Sequence, residues 1–282
     1  MSDVNTVLAN GLTFSYLEAG PRDGPLVLLF HGFPDTARTW RDVLPRLAAR
    51  GFRAVAPFLR GYHPTSIPAD GDYSLSKLGT DVLELIRALG RERAFVVGHD
   101  WGAYSSYAAA NLEPARIEKL VTVAIPHPRV IRPRNMTPGR LFKGRHFFLF
   151  RLPGASGRLR RDDFAAIQAI YRRWSPTWEI PPGELDAVKA CFAAPGALDA
   201  AVGYYRALPV LGQPAPLLVQ TTTVPTLTFY GVDDGVADGA LFEEARSAFS
   251  GPHELVAVPR AGHFLHREQP ELFAEKLLAF LS

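Results

Sequence analysis

The chain has 282 residues, 47% hydrophobic and 21% charged, with a formal net charge of +3, which suits one large α/β domain with an insertion or two small domains and gives no argument for a nucleic-acid partner. Its single cysteine, Cys191, excludes an internal disulfide and a cysteine metal cluster and is compatible with a reducing compartment. With neither a basic and apolar leader nor an apolar run of roughly 18 residues, the expectation is a cytoplasmic protein with no membrane partner.

Residues 12–19 alternate weakly and read as an edge strand, followed by a Gly- and Pro-rich turn at 20–25. Residues 26–30 are a continuous apolar run, as in a buried parallel strand, and His31-Gly32-Phe33-Pro34 stands at its end. Trp40, Val43, Leu44 and Leu47 have the spacing of a helix over 37–50, stopped by Gly51. A strand at 52–57 and an amphipathic helix at 74–89 come next. Residues 94–97 read as a strand, 103–112 as an alanine-rich helix and 120–125 as another strand.

From 126 to 220 the buried-strand pattern stops. That stretch is rich in Arg, Pro, Trp and Phe, with helical spacing at 162–174, 184–193 and 197–207. Strands return at 226–230 and 254–258, and a last helix spans 270–281. The predicted architecture is α/β: a mostly parallel sheet flanked by helices, built from 1–125 and 221–282. A helical cap, 126–220, is inserted after the sixth strand. Pro214-Ala215-Pro216 and Thr221-Thr222-Thr223 read as the hinge back into the core. Between Pro126 and Arg161 there is no Asp or Glu among many Arg and Lys. This reads either as a solvated helical surface or as a positive rim that draws in anionic substrates.

The strand at 94–97 runs into Gly98-His99-Asp100-Trp101-Gly102. Strand, small-x-Asp-x-small, then helix is the pattern of a nucleophile elbow, with Asp where Ser is commoner. Gly98 and Gly102 lack the Cβ atoms that would collide where strand and helix cross. The turn would place Asp100 at a helix N-terminus, where free N–H groups and the helix dipole favour a carboxylate. Taken alone, the same residue reads equally as a helix N-cap.

Ligands in open α/β sheets gather at the C-terminal ends of the strands. Those ends carry His31-Gly32-Phe33-Pro34, Asp100, Gly231-Val232-Asp233-Asp234 and Ala261-Gly262-His263. An acidic nucleophile, a later acid and a later histidine can together perform covalent hydrolysis. Asp100 would attack an electrophilic carbon, and His263 would activate a water against the resulting ester. Asp234 would orient the His263 ring; Asp233 is the alternative, and the G-x-x-D spacing favours Asp234. The backbone N–H groups of Phe33 and Trp101 would hold the oxyanion. A carboxylate nucleophile suits displacement at saturated carbon better than acyl transfer, which would give a labile anhydride. No cofactor and no metal site are implied, since no phosphate loop or metal-ligand spacing occurs. The other histidines need no role, and His31 and His99 read as buried structural partners near the elbow.

These motifs, with Arg60-Gly61-Tyr62 and Phe264 after His263, resemble the α/β-hydrolase family. Within it they resemble the epoxide hydrolase and dehalogenase branch with an Asp nucleophile. The resemblance spans nearly the whole chain, the gap being the variable cap. It implies an α/β-hydrolase fold and an enzyme opening an apolar epoxide to a vicinal diol. It also implies two cap donors to the ring oxygen. Tyr205 resembles one of them, and His146 stands where the other is commonly Tyr. Both read equally as packing aromatics. Trp101, Phe33, Trp174 and Trp178 are candidates for an apolar pocket.

The alternative is a haloalkane or haloacid dehalogenase with the same nucleophile. Phe33 stands where haloalkane dehalogenases place a halide-binding Asn. Trp101 and Tyr104 stand where fluoroacetate dehalogenases carry arginines. A third reading is a non-catalytic small-ligand binding protein of the same fold. The oligomeric state, monomer or homodimer, is not written in the sequence.

Overall fold

The computed structural model describes residues 4–208 and 216–282. Eight strands form one sheet: β1 (Asn5–Ala9), β2 (Leu12–Ala19), β3 (Leu26–Phe30), β4 (Arg53–Pro57), β5 (Ala94–His99), β6 (Ile117–Val123), β7 (Thr226–Gly231) and β8 (His253–Val258). Their order is β1-β2-β4-β3-β5-β6-β7-β8. From β4 onward across the sheet every pairing is parallel, and β1 and β2 are antiparallel additions. β3, β4 and β5 are buried along their whole length, as continuous apolar runs covered on both faces should be.

The sequence reading misses β1 and therefore places β2 at the edge. Asn10 and Gly11 both take positive φ, the conformation of a tight hairpin turn, and fold β1 back onto β2. The helix expected over 37–50 is broken. A 3₁₀ turn covers Ala37–Trp40, and α1 (Leu44–Ala48) starts afresh with Pro45 in its first turn. Proline has no N–H to continue a helix from upstream, but it fits a helix start.

α2 (Leu75–Ala88) and α3 (Trp101–Leu112) pack closely, because a Cβ on Gly79 would stand 2.9 Å from the Ala108 methyl. The described residues between β6 and β7 form α4 (Pro138–Lys143), α5 (His146–Leu149), α6 (Ala155–Trp174), α7 (Asp186–Ala193) and α8 (Ala197–Ala207), with short 3₁₀ turns. α6 is two helices joined at a kink, because Asp162, Asp163 and Phe164 take positive φ and interrupt it. α9 (Gly239–Ala245), α10 (Leu265–Glu268) and α11 (Pro270–Leu281) complete the chain. Of the expected hinge, Pro214 and Ala215 lie outside the described residues. Among the described residues no helix is long and apolar enough to cross a membrane.

The chain leaves β3 for β4 on one side and later returns to place β5 on the other. This reversal opens a crevice above the C-terminal ends of β3 and β5.

Candidate active site

Asp100 sits between β5 and α3 with φ 52° and ψ −116°, a conformation L-residues rarely adopt. Three glycines make the turn possible. A Cβ on Gly98 would stand 2.3 Å from the Gly102 carbonyl oxygen. One on Gly102 would stand 2.3 Å from the Phe30 carbonyl oxygen, and one on Gly32 2.3 Å from Asp100 Oδ1. Strand, helix and neighbouring loop therefore close on the carboxylate without room for a side chain.

An N-cap aspartate would accept from its own helix. The Asp100 side chain makes no such bond. Its Oδ1 instead accepts from the Phe33 N–H at 2.8 Å, in the loop after β3. Trp101 opens α3, so its N–H is one of those with no partner inside the helix.

His263 lies opposite, in the loop after β8. Its Nδ1 is 3.0 Å from Asp234 Oδ2, and its Nε2 is 3.5 Å from Asp100 Oδ2. The longer approach is a charge contact rather than a formed hydrogen bond, and Nε2 has no other partner. The remaining oxygen of Asp234 accepts from the N–H groups of Val236 and Ala237, which fixes the carboxylate toward the ring. Asp234, rather than Asp233, is the acid brought to the histidine.

Electrostatics set His263 apart from the other histidines. Burial pulls its pKa down, but the field of Asp234 and contacts with both carboxylates outweigh that and hold it up at about 10. Burial lowers His31 to about 4, and lowers His99 and His146 to about 3, so those rings are neutral near pH 7. Burial likewise pushes Asp100 up, but His263 overrides it and leaves the carboxyl below its ordinary value.

His31 and His99 are structural partners. His31 Nε2 accepts from the Leu59 N–H, and His99 Nε2 lies 3.0 Å from the His263 carbonyl oxygen. Arg60 holds Asp81 through two buried bonds of 2.5 and 2.7 Å. Its own carbonyl accepts from the Tyr204 hydroxyl at 2.8 Å. That bond pins α8 and turns the next residue, Tyr205, toward the elbow.

The Tyr205 ring meets Trp101 edge-on at 5.0 Å and Phe33 at 5.5 Å. Its hydroxyl is buried with no partner. Burial and the Asp100 charge drive its pKa well above the ordinary phenol range, so it stays a donor. His146 stands beside it, 5.9 Å between ring centres, and beside Trp174 at 4.8 Å. His146 Nδ1 faces the Lys143 carbonyl at 3.3 Å. A carbonyl only accepts, so Nδ1 carries the proton and Nε2 of this neutral ring presents a lone pair. In that tautomer the Nε2 of His146 is an acceptor.

Trp174 packs against the His263 ring at 5.0 Å, inside the site. Trp178 is also expected in the pocket. It packs on Tyr171 and Phe264 and lines a surface cavity of about 430 Å³ whose walls include none of Asp100, Asp234 and His263. Sequence reasoning missed Phe150, Phe192 and Tyr62, which continue the aromatic wall from Phe33. Tyr62 was legible as part of Arg60-Gly61-Tyr62; the two phenylalanines carry no local pattern that singles them out. Among the described residues no cluster of three or more His, Cys, Asp or Glu is arranged to hold a metal ion.

The model of the alpha/beta hydrolase fold family matches residues 25–270. The chain belongs to that family. It is 30% identical to the AB hydrolase superfamily protein YfhM of Bacillus subtilis, over 99% of this chain and 96% of that one. It is also 30% identical to mouse epoxide hydrolase 3, over 99% of this chain and 76% of that one. The solved structure of epoxide hydrolase A from Mycobacterium thermoresistibile superposes with a TM-score of 0.83 at 27% identity, covering 100% and 98% of the two chains. The chain is thus an α/β hydrolase similar to epoxide hydrolases.

Proposed function

We propose that the protein is an epoxide hydrolase that converts an apolar epoxide to a vicinal diol through an ester on Asp100. The observation that carries this reading is the Tyr205 hydroxyl, buried, protonated and without a partner beside the elbow. A halide leaves as a stable anion and asks for no proton. An opened epoxide leaves as an alkoxide and needs one.

Asp100 attacks a ring carbon. The carbon–oxygen bond breaks, and Tyr205 gives its proton to the ring oxygen. Esterification removes the charge of Asp100, one of the two that hold His263 protonated. The imidazolium then sheds its proton, which returns to the Tyr205 phenolate by way of solvent. The neutral ring takes a proton from water, and the hydroxide adds to the ester carbonyl. The N–H groups of Phe33 and Trp101 hold the oxyanion. Collapse expels the diol oxygen, which takes the carboxyl proton and restores the Asp100 carboxylate beside protonated His263.

Residues 126–220 act in this reading as a cap that carries Tyr205, His146 and Trp174 over the core of 1–125 and 221–282. Aromatic walls select an apolar substrate.

Intact-protein mass spectrometry of His263→Gln, exposed to panels of epoxides and haloalkanes, tests the reading. Removing the base spares ester formation and blocks its hydrolysis. A mass gain of one whole epoxide, mapped to Asp100, is expected. A gain of an alkyl group without its halogen, from haloalkanes alone, transfers the reading to a dehalogenase. No adduct from either panel favours a binding protein.

A further inference from the structure

Eleven large apolar side chains are exposed among the described residues, and five of them fall within twelve positions. Phe142 is 65% exposed, and Leu141, Phe148, Leu149 and Leu152 are 41–49% exposed. They belong to α4, α5 and the turn that follows. A monomer has no internal use for so dense an apolar cluster on its surface.

The same stretch is uniformly cationic. Residues 126–161 hold ten Arg and Lys and no Asp or Glu. Arg134 and Arg140 are paired with Glu244 and Asp238 from outside the stretch. Others meet only neutral groups. Arg145 donates to the Phe142 carbonyl and lies 3.9 Å over the Phe142 ring. Arg151 donates to the carbonyls of Tyr205 and Leu208, and Arg158 to that of Pro153. Guanidinium groups engaged this way keep their charge uncompensated.

The charge decides the occupant. A second copy of the chain in a symmetric dimer would press this face against itself and set arginine against arginine. An anionic phospholipid surface is complementary to both properties at once. Guanidinium groups meet phosphates, and Phe and Leu side chains enter the boundary between headgroups and acyl chains. We propose that α4, α5 and the following turn form a peripheral docking surface for anionic membranes. That no helix among the described residues can cross a bilayer concerns crossing only, and this surface would lie on the membrane.

The docking surface and the candidate active site share α5. His146, which opens α5, and Phe150, which follows it, are buried against Tyr205 at 5.9 and 4.9 Å, while Phe148 and Leu149 face outward. An enzyme docked this way holds a pocket wall against the phase in which apolar molecules concentrate. The inference does not depend on which electrophile the site opens.

Co-sedimentation of the full chain with vesicles tests it. Binding to vesicles containing phosphatidylglycerol is expected to be ~10-fold or more tighter than to pure phosphatidylcholine, and to weaken as salt is raised. The triple variant Phe142→Ser, Phe148→Ser, Leu149→Ser should lose on the order of 100-fold in binding with an unchanged melting temperature, since only exposed groups are altered. Arg145→Glu with Arg158→Glu should erase the preference for the anionic vesicles. No sedimentation with either vesicle at low salt overturns the proposal. So does light scattering that finds a dimer which the triple variant dissociates, because the patch then serves a second copy.

Discussion

The Trp174 carbonyl oxygen accepts the His263 N–H at 3.0 Å, and it accepts the Gly235 N–H at the same distance. Gly235 follows Asp234. One carbonyl at the end of α6 therefore ties down both the loop that carries the candidate base and the loop that carries its acid. Ser175 extends the tie: its hydroxyl donates to Glu268 at 2.6 Å and accepts from the Phe264 N–H at 3.2 Å. Glu268 in turn accepts from the Gly262 N–H at 2.8 Å.

Ser175→Ala removes the partner of a buried N–H and of a half-buried carboxyl together. A loss of about 2 kcal/mol in stability is expected, together with a turnover lowered roughly tenfold at unchanged KM, because the His263 loop loosens while the pocket keeps its walls. Thermal melting and steady-state kinetics on an epoxide substrate check both halves.

Tyr205→Phe should act in opposite directions on stability and activity. The hydroxyl is buried without a partner, so its loss leaves stability unchanged or raises it by about 1 kcal/mol. Turnover should fall about 100-fold or more if that hydroxyl protonates the opened ring. His146→Phe, which removes an acceptor, should cost much less. Equal losses in the two variants would make His146 a second donor.

The two half-reactions should differ in their response to pH. Ester formation needs Asp100 ionised, and its depressed pKa keeps that limb flat over about pH 5–8. Ester hydrolysis needs neutral His263. With Asp100 esterified, the imidazolium loses one of its two supporting charges and its pKa drops from about 10. Hydrolysis should therefore rise with pH and level off well below that value. Rapid-quench single turnovers resolve the two limbs; a hydrolysis rate constant across the range removes His263 as the base.

Asp35, buried in the loop after β3, is held at about 6, chiefly by burial, although Thr39 and the Thr36 N–H partly offset it. The folded state thus binds this proton more tightly than the unfolded chain. Stability falls as pH rises from about 4 to 6, by at most about 3 kcal/mol, and the cost persists above that window. Asp35→Asn should stabilise the protein by ~1–3 kcal/mol at pH 8 and confer little at pH 4. Melting curves at the two values decide it, and equal shifts at both would assign the effect to packing.

What was legible in the sequence follows the range over which each signal acts. Asp100, Asp234 and His263 stand at the ends of strands, and a parallel sheet brings such ends to one edge whatever the loops do. The glycines of the elbow were legible because a strand crossing a helix leaves no room for Cβ. Tyr205 rested on resemblance, since nothing in the local spacing of α8 tells which face meets the core. Trp178 shows the limit. Four positions after Trp174, it would share its face on a continuous helix. The helix stops at Trp174, Pro176 follows, and the side chain, half-buried, packs on Tyr171 and Phe264 instead. β1 was missed because only Ala9 of its five residues is fully buried, so its apolar pattern is weak.

The Tyr204 bond to the Arg60 carbonyl has a counterpart in the Trp174 bond to His263, and both tie helices between β6 and β7 to the loops at the strand ends. Lifting α8 breaks the first and withdraws the candidate proton donor. Lifting the end of α6 breaks the second and parts the base from its acid. Both lie on walls that must stay shut for the machinery to exist. The flank of α4 and α5 is tied as well: Lys143 donates to the Asp234 carbonyl at 2.8 Å, and Arg140 pairs with Asp238 in the same stretch of chain after β7. Each of these walls is thus held by a bond to the loops at the strand ends.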